Sequence, residues 1–339
     1  MDLTKQEQKF SFLSLMARPQ GVQPFGVYDA LSAIVAERAG CEALYIGGYA
    51  AAAVRGVPDI GLLSMFEMIQ HVEYIAAKTS LPLMVDIDDG HGNANNVRQN
   101  VRRMLSVGRG RRVKAIHIED QPFPKRCGHH SGKTVIPMRE FIGKLKAAID
   151  VRDDMEADCI IIARTDAFSA AGGKKDERIG GDVEESIRRL VAYLHAGADS
   201  VWCEFPSASL ESAEAISEGV RSIFPDAMLS FNVSPSFSAE NWDLSLLTNR
   251  HMIELGYKNR FSTYPSLVAA MKAVYDTALA FCGDPIEAIR TLKRSVVGCP
   301  TEIINELVRL SDYQHEELKY DPAAVERFRA SEGFGELKQ

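Results

Sequence analysis

The nine residues 125–133, KRCGHHSGK, set one thiol and two imidazoles among three fixed cations. Cys127, His129 and His130 stand too close in sequence to wrap one tetrahedral ion, and no second ligand pair follows at a zinc-site spacing. A thiol flanked by Lys125, Arg126, His129 and Lys133 is instead expected to be stabilised as thiolate, competent for proton transfer or nucleophilic attack. A second group is acidic: Asp59 in VPDIG, Asp86 and Asp88 in VDIDDG, and Glu119 with Asp120 in HIEDQ. Side chains alternate along a strand, so Asp86 and Asp88 are expected on one side. Converging carboxylates without interleaved Cys or His suit a hard divalent ion, Mg²⁺ or Mn²⁺, that keeps several waters. A third group is Arg164, Asn232, Ser234, Ser236 and Thr263. An arginine holds a carboxylate bidentately, and the N-V-S-P-S turn adds an amide and two hydroxyls. With a metal they describe a pocket for a substrate bearing more than one carboxylate.

Positioning these groups requires a scaffold. Short β-rich apolar runs recur at 25–29, 43–48, 82–88, 114–120, 158–166, 200–205, 227–232 and 259–265, separated by amphipathic helical patterns such as 30–39, 65–78, 95–106, 138–151, 183–196 and 212–223. Apolar strands alternating with helices imply a parallel sheet buried on both faces. Tyr45, Asp86, Asp88, Glu119, Arg164, Asp166, Glu204, Asn232 and Thr263 each fall at or just past the end of one of these strands. Strand ends that deliver polar groups to one rim fit an α/β fold of the (β/α)₈ barrel type, and the G-x-G-x-x-G turn of an open nucleotide-binding sheet is missing. The barrel is expected over 1–265. Residues 266–339 then form a helical extension, with helices over 266–281, 285–296 and 302–320, that packs on the barrel or on a partner subunit. Two glycine-rich, charged segments, 121–135 and 167–182, are candidate lids.

Composition narrows the function classes. The 339 residues carry a net charge of −7 and a pI near 5.7, which argues against non-specific nucleic-acid binding despite the basic run at 109–114, expected as a solvated turn. No run of 18 or more apolar residues suggests a membrane span, and the N-terminal stretch does not read as a signal peptide, so a cytoplasmic location is expected. The six cysteines, at 41, 127, 159, 203, 282 and 299, contain no C-x-x-C pair and are expected as reduced thiols, with Cys159 and Cys203 packing inside strands.

LYIGGYAAAA, VDIDDGHG, HIEDQ followed by KRCGH, ARTDA, VWCEF and FNVSPSF, in that order between Tyr28 and Thr263, resemble the isocitrate lyase and phosphoenolpyruvate mutase superfamily. The cysteine loop is similar to that of its carbon–carbon lyase branch. The resemblance implies a Mg²⁺-dependent retro-aldol cleavage of the C2–C3 bond of isocitrate or 2-methylisocitrate, giving succinate and glyoxylate or pyruvate. Cleavage of a 2-alkylmalate or hydrolysis of oxaloacetate is the alternative. Asp86 would bind the metal with Asp59, Asp88 and Glu119 held directly or through water. Tyr45 would be the base, Arg164 and His129 would spread the charge of the enediolate, and Cys127 would be the general acid. Asn232, Ser234, Ser236 and Thr263 would hold the succinate part, with Gly128 and Glu204 beside it. Gly47-Gly48-Tyr49 would cradle the 2-oxo acid, and this version of the loop leaves glyoxylate and pyruvate both open. Asp89 and His91 stand where the family usually has a small residue and an aromatic. A homotetramer, a dimer of dimers that exchanges its last barrel helix between subunits, completes what the resemblance implies.

Overall fold

The structure is a computed structural model that describes residues 11–110, 112–129, 131–171, 182–206, 209–236, 248–321, 323–324 and 326–327. His130 and most of the second expected lid lie outside the described residues. The chain divides into two compact units, Met1–Ala269 and Ala270–Gln339.

Among the described residues the first unit holds eight strands, all parallel and paired in sequence order: β1 (Phe25–Gly26), β2 (Leu44–Ile46), β3 (Leu83–Asp86), β4 (Val113–Glu119), β5 (Ile160–Thr165), β6 (Ser200–Cys203), β7 (Leu229–Asn232) and β8 (Tyr257–Phe261). The seam between β8 and β1 is spanned by two parallel bridges, Val22 to Asn259 and Phe25 to Ser262. This is the (β/α)₈ barrel expected from the alternating pattern, and all eight strands fall within the expected runs or within two residues of them.

Helices alternate with the strands: α1 (Phe12–Met16), α2 (Ala30–Arg38), α3 (Gly48–Ala53), α4 (Met65–Ala76), α5 (Ala94–Leu105), α6 (Met138–Asp154), α7 (Val183–His195), α8 (Leu210–Arg221) and α9 (Asn249–Glu254). Their starts are written locally. Asp29, Ser64 and Asn93 cap α2, α4 and α5 with reciprocal capping boxes, and Asp182 caps α7. The short helices α1, α3 and α9 carry too few turns for a periodic signal in the sequence.

Two apolar layers follow from strand alternation. Leu44, Ile46, Leu83, Val85, Ile116, Ile118, Ile161, Ala163, Val201 and Phe231 face the helices in the main core. Cys159 and Cys203 belong to it, as expected of packing thiols. Ala43, Tyr45, Met84, Ala115, Ile160, Ile162, Trp202 and Phe261 fill the barrel interior, where Phe12 and Met16 of α1 join them.

The second unit begins within α10 (Pro265–Gly283) and continues through α11 (Pro285–Val296), α12 (Ile304–Leu307) and α13 (Leu310–Tyr320). The single helix expected over 302–320 is broken: Arg309 adopts a left-handed conformation, φ 59°, and separates α12 from α13. Among the described helices α10 alone is long and apolar enough, by length and composition, to cross a bilayer, contrary to the sequence expectation. Lys272 and Asp276 form an exposed ion pair across one turn in its middle. Met271, Val274, Tyr275 and Leu279 of α10 and Ile286 of α11 are exposed.

Candidate active site

Inward-facing residues alternate along each strand, and the last of them arrive at the mouth of the barrel: Tyr45 from β2, Asp86 from β3, Glu119 from β4, Arg164 from β5, Glu204 just past β6 and Asn232 from β7. Thr263 follows β8. A single cavity is lined by Tyr45, Gly47, Tyr49, Asp59, Asp86, Cys127, Gly128, His129, Arg164, Glu204, Asn232, Ser236 and Thr263 of the expected set, with Lys125 and Tyr264 in addition. Gly48 and Asp88 line the adjoining pocket with Asp59 and His91. Glu119 does not line the cavity but lies 3.1 Å from Arg164 NH1. Ser234 is fully buried, does not line the cavity, and accepts a hydrogen bond from the Ser236 amide at 3.1 Å, so it shapes the turn.

The carboxylates converge as expected, by a different route. β3 ends at Asp86, and Asp88 lies beyond it in the left-handed region at φ 51°. Its amide donates to Asp86 Oδ1 at 2.8 Å, so a turn, not strand alternation, brings the two acids together. A Cβ at Gly48 would sit 3.0 Å from Asp88 Oδ1, 3.4 Å from Asp59 Oδ1 and 3.6 Å from Asp86 Oδ2. Three acids thus face one glycine, whose amide donates to Asp86 Oδ2 at 3.2 Å. Lys125 Nζ stands among them, 2.7 Å from Asp59 Oδ1 and 2.9 Å from Asp88 Oδ1. Burial raises the Asp59 carboxyl pKa against the pull of Lys125. Burial also opposes ionisation of Asp88, but Lys125 and His91 outweigh it and hold that carboxyl well below the usual range. His91 Nε2 lies 3.4 Å from Asp88 Oδ2.

Oxygen donors of this kind suit a hard cation. Among the described residues no group of three or more His, Cys, Asp or Glu side chains stands positioned to hold a metal ion. Glu119 Oε1 is buried without a hydrogen-bond partner. Six buried acids around the mouth, Asp59, Asp86, Asp88, Glu119, Asp166 and Glu204, face three buried bases, Lys125, Lys133 and Arg164. A divalent cation would offset most of that excess.

The thiol differs from expectation. Cys127 is buried, and burial together with Asp59 raises its pKa to about 11, so it is a neutral thiol near pH 7. Of the flanking cations, Lys125 pulls the thiol toward ionisation but is outweighed by burial and Asp59; Lys125 is itself engaged by Asp59 and Asp88, Lys133 by Asp166 and the Gly128 carbonyl, and Arg126 is exposed. A protonated thiol is a proton donor rather than a nucleophile.

Arg164 is likewise more committed than expected. Nε and NH2 donate to Asp166 at 2.8 and 3.0 Å, NH1 lies 3.1 Å from Glu119, and NH2 lies 3.3 Å from Glu204. The guanidinium rests on the Trp202 ring, 4.3 Å from its centroid. His129 Nε2 is 3.1 Å from Glu204, and burial lowers its pKa against that carboxylate. Two further buried polar atoms, Asn232 Oδ1 and Thr263 Oγ1, lack hydrogen-bond partners, as expected of groups that wait for a ligand.

Several residues of the site stand outside the three groups that the sequence marks for chemistry. His117 Nε2 lies 3.0 Å from the Tyr45 hydroxyl, and burial lowers its pKa to about 4. Its parity with Glu119 on β4 was the available signal. Tyr264 stacks on Tyr49 at 4.5 Å and hydrogen-bonds Ser236, with no signal in the sequence. Burial, reinforced by Asp86, raises the Tyr45 pKa well above the ordinary phenol value, so this tyrosine keeps its proton.

Residues 12–281 match the family described as phosphoenolpyruvate phosphomutase. An isocitrate lyase of Haloferax volcanii is 36% identical over 312 residues, covering 92% of this chain and 86% of that protein. A 2-methylisocitrate lyase of Bacillus subtilis is 31% identical over 270 residues, covering 80% of each. A solved phosphonopyruvate hydrolase in complex with oxalate and Mg²⁺ superposes with a TM-score of 0.72 at 26% identity, covering 93% of this chain and 99% of that one. The chain belongs to the phosphoenolpyruvate mutase and isocitrate lyase superfamily, and within it is a carbon–carbon lyase.

Proposed function

We propose that the protein cleaves the C2–C3 bond of isocitrate or 2-methylisocitrate, releasing succinate with glyoxylate or pyruvate, and that it uses Mg²⁺ or Mn²⁺. The observation that carries the reading is a neutral thiol, Cys127, in one cavity with Tyr45 and the metal-suited carboxylates Asp59 and Asp86. A bound divalent ion would supply positive charge beside Asp86 and attract the 2-hydroxycarboxylate oxygens of the substrate. The hydrolase solved with oxalate and Mg²⁺ supports that assignment.

Tyr45 holds its own proton, so it takes the C2 hydroxyl proton only by handing the phenolic one to His117 Nε2, 3.0 Å away. As C2–C3 breaks, the electron pair passes to C3 and its carboxylate. The Arg164 guanidinium and the His129 ring spread that charge. Cys127 Sγ–H then protonates C3, and the thiolate and the imidazolium re-equilibrate with solvent. Asn232, Ser236 and Thr263 offer hydrogen bonds to the succinate carboxylates. Incubation with racemic isocitrate and 2-methylisocitrate, with and without Mg²⁺, tests this: glyoxylate or pyruvate should form only with the metal. No product from either acid would overturn the substrate assignment.

The C-terminal helices are assigned to contacts between subunits, supported by the exposed apolar side chains of α10 and α11. A monomer by light scattering would exclude that part of the proposal.

A further inference from the structure

Lys133 lies outside the substrate cavity and touches none of the carboxylates grouped around Gly48, yet it is almost fully buried. Its ammonium donates to the Gly128 carbonyl and lies 3.0 Å from Asp166 Oδ1. Its own carbonyl accepts from the Ala171 amide at 2.8 Å, which ties it to the segment after β5. Gly128 is the residue between the thiol and the imidazole of the chemical loop. A Cβ there would come 2.2 Å from Arg164 NH2, 2.8 Å from Glu204 Cγ and 3.0 Å from Asp166 Oδ1, so the loop backbone lies directly on the arginine and its acids. At the other end of the same loop, Lys125 binds Asp59 and Asp88. The Cys127–His129 segment is therefore pinned on both sides, by one lysine to the acidic cluster and by another to the end of β5.

We propose that Lys133 is the latch of this loop: by joining the Gly128 carbonyl to Asp166 it holds the loop on the Arg164 surface and sets the position of Cys127 over the cavity. Asp166 serves both sides of the joint, since the same carboxylate fixes Arg164. Its own amide donates to Asp120 at 2.9 Å, so the latch closes against an anchored point. Lys133 is a positioning residue, acting through the loop backbone and not on the substrate. The inference rests on the reading that Cys127 does the chemistry, but the state of the loop can be measured without turnover.

The test is the rate of Cys127 alkylation by iodoacetamide at fixed pH without substrate, followed by peptide mass spectrometry because Cys127 is buried while Cys282 and Cys299 are exposed and react as well. In Lys133→Met the Cys127 rate should rise roughly 10- to 100-fold, the loss of one hydrogen bond to a charged group. In the same variant kcat should fall by a comparable factor, while Mg²⁺ affinity, read by titration calorimetry, stays at the wild-type value. Lys133→Arg, which keeps the cation, should recover part of both effects. If Lys133→Met does not fold, Lys133→Gln replaces it. An unchanged Cys127 alkylation rate in a folded neutral variant overturns the latch. A faster rate in a protein that cleaves neither acid upholds the latch and rejects the substrate assignment.

Discussion

At the scale of single residues, the decisive property is the ionisation of Cys127. Three lysines and arginines within six residues suggest a thiolate, but the two lysines are paired with carboxylates, Arg126 is exposed, and burial with Asp59 leaves the proton on sulfur up to about pH 11. The alkylation rate of Cys127 in the wild type should therefore climb about tenfold per pH unit from 8 to 10, since the thiolate is the reacting species. A plateau below pH 8 would show a depressed pKa and remove the general-acid assignment. Cys127→Ser replaces a donor of thiol acidity by a far weaker one, and kcat should drop by roughly 10²- to 10⁴-fold with an unchanged thermal midpoint. Wild-type turnover in that variant would exclude the thiol from the mechanism.

At the scale of elements, the site depends on how β4 and β5 are fastened to the helix beyond them. Asp120, one residue past β4, is fully buried and accepts from the Asp166 amide, Thr165 Oγ1 at 2.7 Å, Tyr193 Oη at 2.7 Å and Arg189 NH1 at 2.9 Å. Burial raises its pKa, with Arg189 opposing that shift. The network ties α7 to the strand ends that carry Arg164 and Asp166. Asp120→Asn would leave Arg189 with Glu185 as its one carboxylate partner among the described residues, beside the Tyr193 hydroxyl, so unfolding free energy should fall by about 3 kcal/mol, the low end for breaking a buried pair. Denaturant titration measures it, and a loss under about 1 kcal/mol would mean that the network is expendable. The sequence showed Asp120 as one more acid of HIEDQ. Its partners come from the end of β5 and from α7, 45 to 73 residues away, and no local pattern marks such contacts.

At the scale of the whole molecule, two charge effects should be visible. The acid-rich mouth holds carboxyls whose pKa values are raised by burial, Asp59 and Glu119 among them. Mg²⁺ binding should release protons into weakly buffered solution and raise the thermal midpoint, by about 2.7 kcal/mol of stability at a hundredfold excess over Kd. No midpoint shift at millimolar Mg²⁺ would count against a metal site here. The second effect comes from His117, whose pKa falls from 6.5 in the unfolded chain to about 4 in the fold. Above pH 6.5 both states hold the neutral ring and the shift costs nothing. Below it the unfolded chain binds the proton first, so stability should decline down to pH 4 by roughly 3 kcal/mol, with His71 adding in the same sense. Denaturation midpoints between pH 7 and 4 test this, and His117→Gln should flatten part of the slope.

The sequence by itself determined the strand and helix periods, the caps of α2, α4 and α5, and the parity that sends Tyr45, Asp86, Glu119, Arg164 and Asn232 inward at the barrel mouth. These are local properties, carried by neighbours a few residues apart. Only the tertiary structure decided which groups are already paired. It placed Asp88 by a left-handed turn, turned Arg164 toward Asp166, Glu119 and Glu204, seated Lys125 among the acids, and left the Cys127 proton in place. Those outcomes depend on burial and on distances of about 3 Å between different strands and loops, and neither quantity is encoded in any single stretch of residues.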